Sequence, residues 1–139
     1  MNALRVALAL SAAAVAFTAE TRAAEPSNYR IVERIKVPDG GFDYATFDAA
    51  TNRVYMPRGD FTTVIDVKTG KVSQLASGES NHIALPVPGT NLIVFTHRKG
   101  LIRIADKATD KVLAEFQGEK NPNSAAYDPI TKLGSGLTT

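Results

Sequence analysis

Val64-Ile65-Asp66-Val67-Lys68-Thr69-Gly70-Lys71-Val72 decides the reading, because its skeleton comes back 40 residues later. Val64-Ile65-Asp66 returns as Ile104-Ala105-Asp106, and Thr69-Gly70-Lys71-Val72 returns as Thr109-Asp110-Lys111-Val112. Val54-Tyr55 is answered at the same spacing by Val94-Phe95. After two periods Ala45-Thr46-Phe47-Asp48 reappears as Ala125-Ala126-Tyr127-Asp128, and Thr51 and Thr131 keep that 80-residue spacing. A fixed period of about 40 filled with short β-branched runs predicts one four-stranded antiparallel blade per repeat. The expected fold class is therefore all-β, built of β-propeller blades.

The first full unit predicts strands over 44–47, 53–56, 62–67 and 71–76, and the second over 83–85, 91–96, 101–105 and 111–116. Gly70 and Asp110 fall in the hairpin between third and fourth strands, where positive φ is demanded and both residue types tolerate it. Asp66 and Asp106 stand just before that turn, placed to accept backbone N–H bonds and hold the corner. Upstream, 31–37 reads as the last strand of a further blade, ended by Pro38-Asp39-Gly40-Gly41. The third unit opens correctly over 122–132. The phase then asks for an apolar strand and meets Leu133-Gly134-Ser135-Gly136-Leu137, so 133–139 is expected to be an irregular tail. About two blades, a leading strand and a third-blade stub are expected, as in a shortened product of a longer gene.

Arg5 precedes the apolar run 6–17, and small residues follow at Thr21 and Ala23. This reads as a secretory signal peptide over 1–23; the run is well short of the ~20 apolar residues a spanning helix needs. Cleavage after Ala23 leaves residues 24–139 without a membrane anchor, in the periplasm or secreted. Removal of Arg5, Arg22 and Glu20 takes 16 basic and 14 acidic residues to 14 and 13, a net charge of +1. Such a balance gives no global signal for nucleic acid. The chain has no cysteine, which excludes disulfides, thiolate metal sites, thioether-linked haem and thiol catalysis.

The unit Tyr44-Ala45-Thr46-Phe47-Asp48, Thr51-Asn52-Arg53-Val54-Tyr55 and Val64 to Val72 resembles the YVTN-repeat, YncE-like β-propeller family of exported bacterial proteins. The likeness spans residues 29–132, within an incomplete propeller segment set at 24–132. Family members usually close about seven blades. The resemblance implies a binding or scaffolding module; it carries no catalytic residue set, because the repeat motif is structural.

Alternating strand directions send two kinds of loop to one rim. Asp43, Asn81 and His82 lie where inner strands begin. Arg58 and Asp60, and His97, Arg98 and Lys99, lie between second and third strands. Arg58, His82, His97, Arg98 and Lys99 are accordingly the candidate binding residues, for a small anionic ligand or an acidic protein segment. Two histidines without a clear carboxylate companion make a poor metal shell, so no metal and no cofactor is expected, and no enzyme activity. The residues leave open an N-terminal portion of a propeller enzyme or haem/quinone-dependent redox protein. They also leave open copies of the chain assembling into a ring.

Overall fold

The computed structural model describes residues 29–138, with side chains through 136. The signal-peptide segment 1–23 lies outside the described residues. Those residues divide into a short exposed stretch, 29–33, and a unit from Arg34 onward that holds every strand.

Two four-stranded antiparallel sheets follow each other in sequence. Sheet 1 is β1 (Thr46–Asp48), β2 (Arg53–Pro57), β3 (Thr62–Asp66) and β4 (Val72–Leu75). Sheet 2 is β5 (Asn81–Pro86), β6 (Leu92–His97), β7 (Leu101–Asp106) and β8 (Val112–Gln117). A third, two-stranded sheet is β9 (Pro122–Asp128) with β10 (Leu133–Thr138). Each strand pairs only with its sequence neighbour, the meander of a propeller blade.

The turns repeat bond for bond. Gly70 N–H donates to Asp66 O and Asp66 N–H to Lys71 O, at 2.8 and 2.9 Å; Asp110 and Asp106 repeat this at 2.8 and 2.9 Å. Gly70 and Asp110 sit at φ 68° and 60°, as the hairpin requires. The Asp66 Oδ1 accepts from the N–H groups of Lys68 and Thr69, and Asp106 Oδ1 from those of Ala108 and Thr109. Asp128 does the same for the β9–β10 turn, with Ile130 N–H and the Thr131 hydroxyl. These bonds favour the ionised form, so all three carboxyls are held below the usual range. The leading cause is the Thr69 hydroxyl at Asp66, the Thr109 N–H at Asp106 and the Thr131 hydroxyl at Asp128.

Three expectations are corrected. Residues 31–37 form no strand. An outer strand exists only by hydrogen bonding to a third strand, and the described residues offer it none. The Gly-rich stretch expected to be irregular is β10, paired with β9 from Leu133↔Asp128 to Thr138↔Pro122. Backbone ladder bonds need no apolar side chain, and the Asp128 turn with Lys132 at φ 59° delivers the chain into register.

The third correction concerns phase. Antiparallel partners share a face, so Thr46, Tyr55 and Val64 form one row of sheet 1. The matching row of sheet 2 is Leu85, Val94 and Ile104, while Phe95 stands on the opposite face with Ala84 and Arg103. Four residues (58–61) separate the last β2–β3 pair, and five (97–101) separate the last β6–β7 pair. The true spacing is therefore 39 for the inner two strands and 40 for the third. A slip of one residue exchanges faces. Tyr55 and Phe95 thus do not copy each other; they belong to one core between the sheets, with Val64, Leu75, Ala84, Ile93 and Ala105.

Across the same interface the Lys107 ammonium meets the Asp48 carboxylate at 2.7 Å, both side chains at least 94% buried. The outward row of sheet 2, with Leu92, Val94, Ile102, Ile104 and Phe116, faces the β9–β10 hairpin across an apolar crevice of about 380 Å³.

Gly59 and Gly100 occupy the two inter-strand loops at φ 97° and 88°. A Cβ on Gly59 would meet nothing within 4 Å, whereas one on Gly100 would fall 2.6 Å from the Glu119 carbonyl oxygen. Gly59→Ala is expected to cost only the left-handed strain, about 1 kcal/mol. Gly100→Ala is expected to cost more, about 2–3 kcal/mol, because backbone must also move. Urea unfolding of the two variants checks the order; equal losses would mean the loop around Glu119 yields freely.

Candidate functional site

Each blade turns its inner strand into view through a short connection whose backbone is tied to the loop of the blade before. Asn81 N–H donates to Gly59 O at 2.8 Å, and Asn121 N–H to Arg98 O at 3.0 Å. Just after each anchor the ladder carries a bulge. His82 is skipped between the partners of Asn81 and Ile83, and Asn123 between those of Pro122 and Ser124. Such a bulge re-aims one side chain out of the alternation. Asp43 precedes His82 by the 39-residue spacing, and His82 and Asn123 share the bulge position, so the three stand at the head of successive inner strands; all three line one polar cleft of about 440 Å³.

His82 is 93% buried. Its Nδ1 lies 2.7 Å from Asp43 Oδ2, so Nδ1 carries a hydrogen and donates it to the carboxylate. The other ring nitrogen, Nε2, is buried and has no partner among the described residues. The histidine expected to lack a carboxylate companion has one, supplied by the preceding blade. Two further acidic or thiolate ligands are absent: the described residues contain no group of three His, Cys, Asp or Glu able to hold a metal.

The five sequence candidates do not form one site. His82 and Arg98 line the 440 Å³ cleft and, with Arg58 and Asn81, an adjoining one of about 270 Å³. Arg58 is already engaged: its guanidinium donates to Pro38 O at 2.6 Å, Gly41 O at 3.0 Å and Gly40 O at 3.4 Å, strapping the 38–41 turn to the loop. The Arg98 guanidinium has no hydrogen bond or ion pair among the described residues, and the residue is exposed. His97 and Lys99 lie apart, along a different groove with Glu79 and Arg103. Lys99 only brushes Glu79 at 3.8 Å with both side chains exposed, a pairing of little energy. Asn121 and Asn123 were missed because amides carry no chemical signal in sequence. Their distance of about 40 residues from Asn81 and His82 was the available clue.

His97 donates from Nδ1 to Glu79 O at 2.9 Å, and its Nε2 is buried without a partner among the described residues. Burial pushes its pKa below the ordinary histidine value of 6.5, the Glu79 carbonyl pulling the other way. A folded value below the unfolded one means that the unfolded chain takes up more protons. The stability this histidine contributes is complete above about pH 6.5 and is lost as pH falls through its folded pKa. The urea midpoint is expected to drop between pH 7.5 and pH 5, and His97→Gln should flatten that slope. An unchanged slope would assign the pH dependence elsewhere.

No protein-family model and no curated protein matches the sequence. Among solved structures the chain is similar to Kuenenia stuttgartiensis hydrazine synthase, with a TM-score of 0.66 and 14% identity over 79% of this chain. It is also similar to a chain of a mitotic checkpoint complex, with a TM-score of 0.48 and 15% identity over 81% of this chain. The chain spans about a third of the length of either, 32% and 38%. At such identities the likeness speaks for the fold alone, and the fold is that of all-β propeller blades.

Proposed function

We propose that this chain is a binding module of the exported, YVTN-repeat type, without a catalytic centre of its own, whose ligand site is the cleft shared by Asp43, His82 and Arg98. The observation that carries the reading is the uncommitted guanidinium of Arg98 beside a buried, partner-oriented His82 in one polar cleft. An unpaired guanidinium is a planar fork for a carboxylate or phosphate. The ligand is a small anion, in keeping with clefts of a few hundred Å³.

Calorimetric titration with acetate, succinate and inorganic phosphate tests this. Arg98→Glu is expected to weaken the best of them by about tenfold or more, whereas Lys99→Glu, in the other groove, leaves it unchanged. Equal losses in the two variants would mean a diffuse basic rim and no defined cleft. Export is checked by N-terminal sequencing of the mature protein, expected to begin at Ala24.

A further inference from the structure

Two buried acceptors belong to residues that line the same cleft as Arg98. The first is His82 Nε2. Because Nδ1–H is committed to Asp43, a neutral His82 offers Nε2 only as a lone pair. The second is Asn81, 97% buried, whose Nδ2 donates to Thr62 Oγ1 at 2.9 Å while Oδ1 has no partner among the described residues. Both residues and Arg98 line the 270 Å³ cleft. Buried polar atoms are ordinarily satisfied, and acceptors left without donors in a cleft mark where a ligand supplies them.

The geometry points to a ligand that carries a carboxylate for Arg98 and, on the neighbouring carbon, a hydroxyl that donates to His82 Nε2: a small hydroxycarboxylate. This deepens the anion-binding reading above and rests on it. A hydroxyl fits better than an ammonium, because the donor must sit beside the guanidinium groups of both Arg98 and Arg58, where a second positive charge is repelled. Asp43 acts through His82 here, as a positioning residue. Its carboxylate holds the ring so that Nε2, and not Nδ1, meets the ligand.

The test compares malate with succinate, which differ by one hydroxyl, in calorimetric titrations of the full chain at pH 7.5. Malate is expected to bind about tenfold tighter or more, since without the hydroxyl His82 Nε2 stays unpaired. In His82→Phe malate and succinate are expected to bind with equal affinity, because the acceptor that tells them apart is gone. The comparison within the unaltered protein decides the matter even if that variant does not fold. Equal affinities for malate and succinate, with binding still lost in Arg98→Glu, would overturn the hydroxyl inference and leave the anion site standing. Tighter binding of aspartate than of malate would overturn it in favour of an ammonium. Absence of Arg98-dependent binding for every anion would overturn both readings together.

Discussion

Phe95→Ala is expected to lower the unfolding free energy by about 3–5 kcal/mol, enough to unfold much of the population of so small a domain. The ring is fully buried, at 0% exposure, in the apolar cluster that joins the two complete sheets. Its neighbours are strand residues held by ladder bonds on both sides, so the cavity left by truncation cannot collapse easily. Phe47→Ala provides the contrast. That ring is 56% exposed, and its loss is expected to cost about 0.5 kcal/mol or less. Chemical denaturation followed by far-UV circular dichroism measures both. Similar losses at the two positions would mean that the sheets do not stack through Phe95.

Breaking the Asp48–Lys107 pair from one side is expected to cost about 3–5 kcal/mol, since Lys107→Ala strands a carboxylate beneath the neighbouring blade. Replacing both partners should restore most of that. The same places in the other sheet are held by Val87 and Val67, so Asp48→Val with Lys107→Val keeps to residues the repeat already uses. The double variant is expected within about 1 kcal/mol of the starting protein. A double-mutant cycle gives the coupling directly; near-additive losses would show that the pair carries no interaction of its own.

The same pair shapes the acid limb of stability. Burial alone would raise the Asp48 pKa, but the Lys107 ammonium, the Thr51 hydroxyl and the Ala50 N–H together outweigh it and hold the group below its ordinary 3.8. With the folded value below the unfolded one, the contribution is present above about pH 3.8 and is lost as pH falls through the folded pKa. The double variant should therefore lose less stability between pH 5 and pH 3 than the unaltered protein.

Local chemistry was legible in the chain itself. Every hairpin corner placed from Asp66, Asp106, Gly70 and Asp110 is found with its expected bonds, because those bonds join residues two to five apart. β10 was hidden, since a Gly-Ser-Gly stretch shows no apolar alternation, although the preceding strand supplies the whole ladder it needs. The candidate site was legible in part. His82 and Arg98 were read from loop position, but Arg58 is spent on three carbonyls and Lys99 and His97 fall in another groove. No pattern along the chain says which loop side chains are already engaged.

By itself the sequence determined the 40-residue unit, the four-stranded sheets and the turn chemistry, all of which rest on contacts within one unit. Only the tertiary structure decided what happens between units. One added residue in the 97–101 connection sends Phe95 to the face that meets Tyr55. A lysine from one blade finds its carboxylate in another, and Asp43, 39 residues upstream, turns His82 toward the cleft. Those relations depend on how two sheets stack and on single-residue bulges, and a shift of one residue reverses which face a side chain takes.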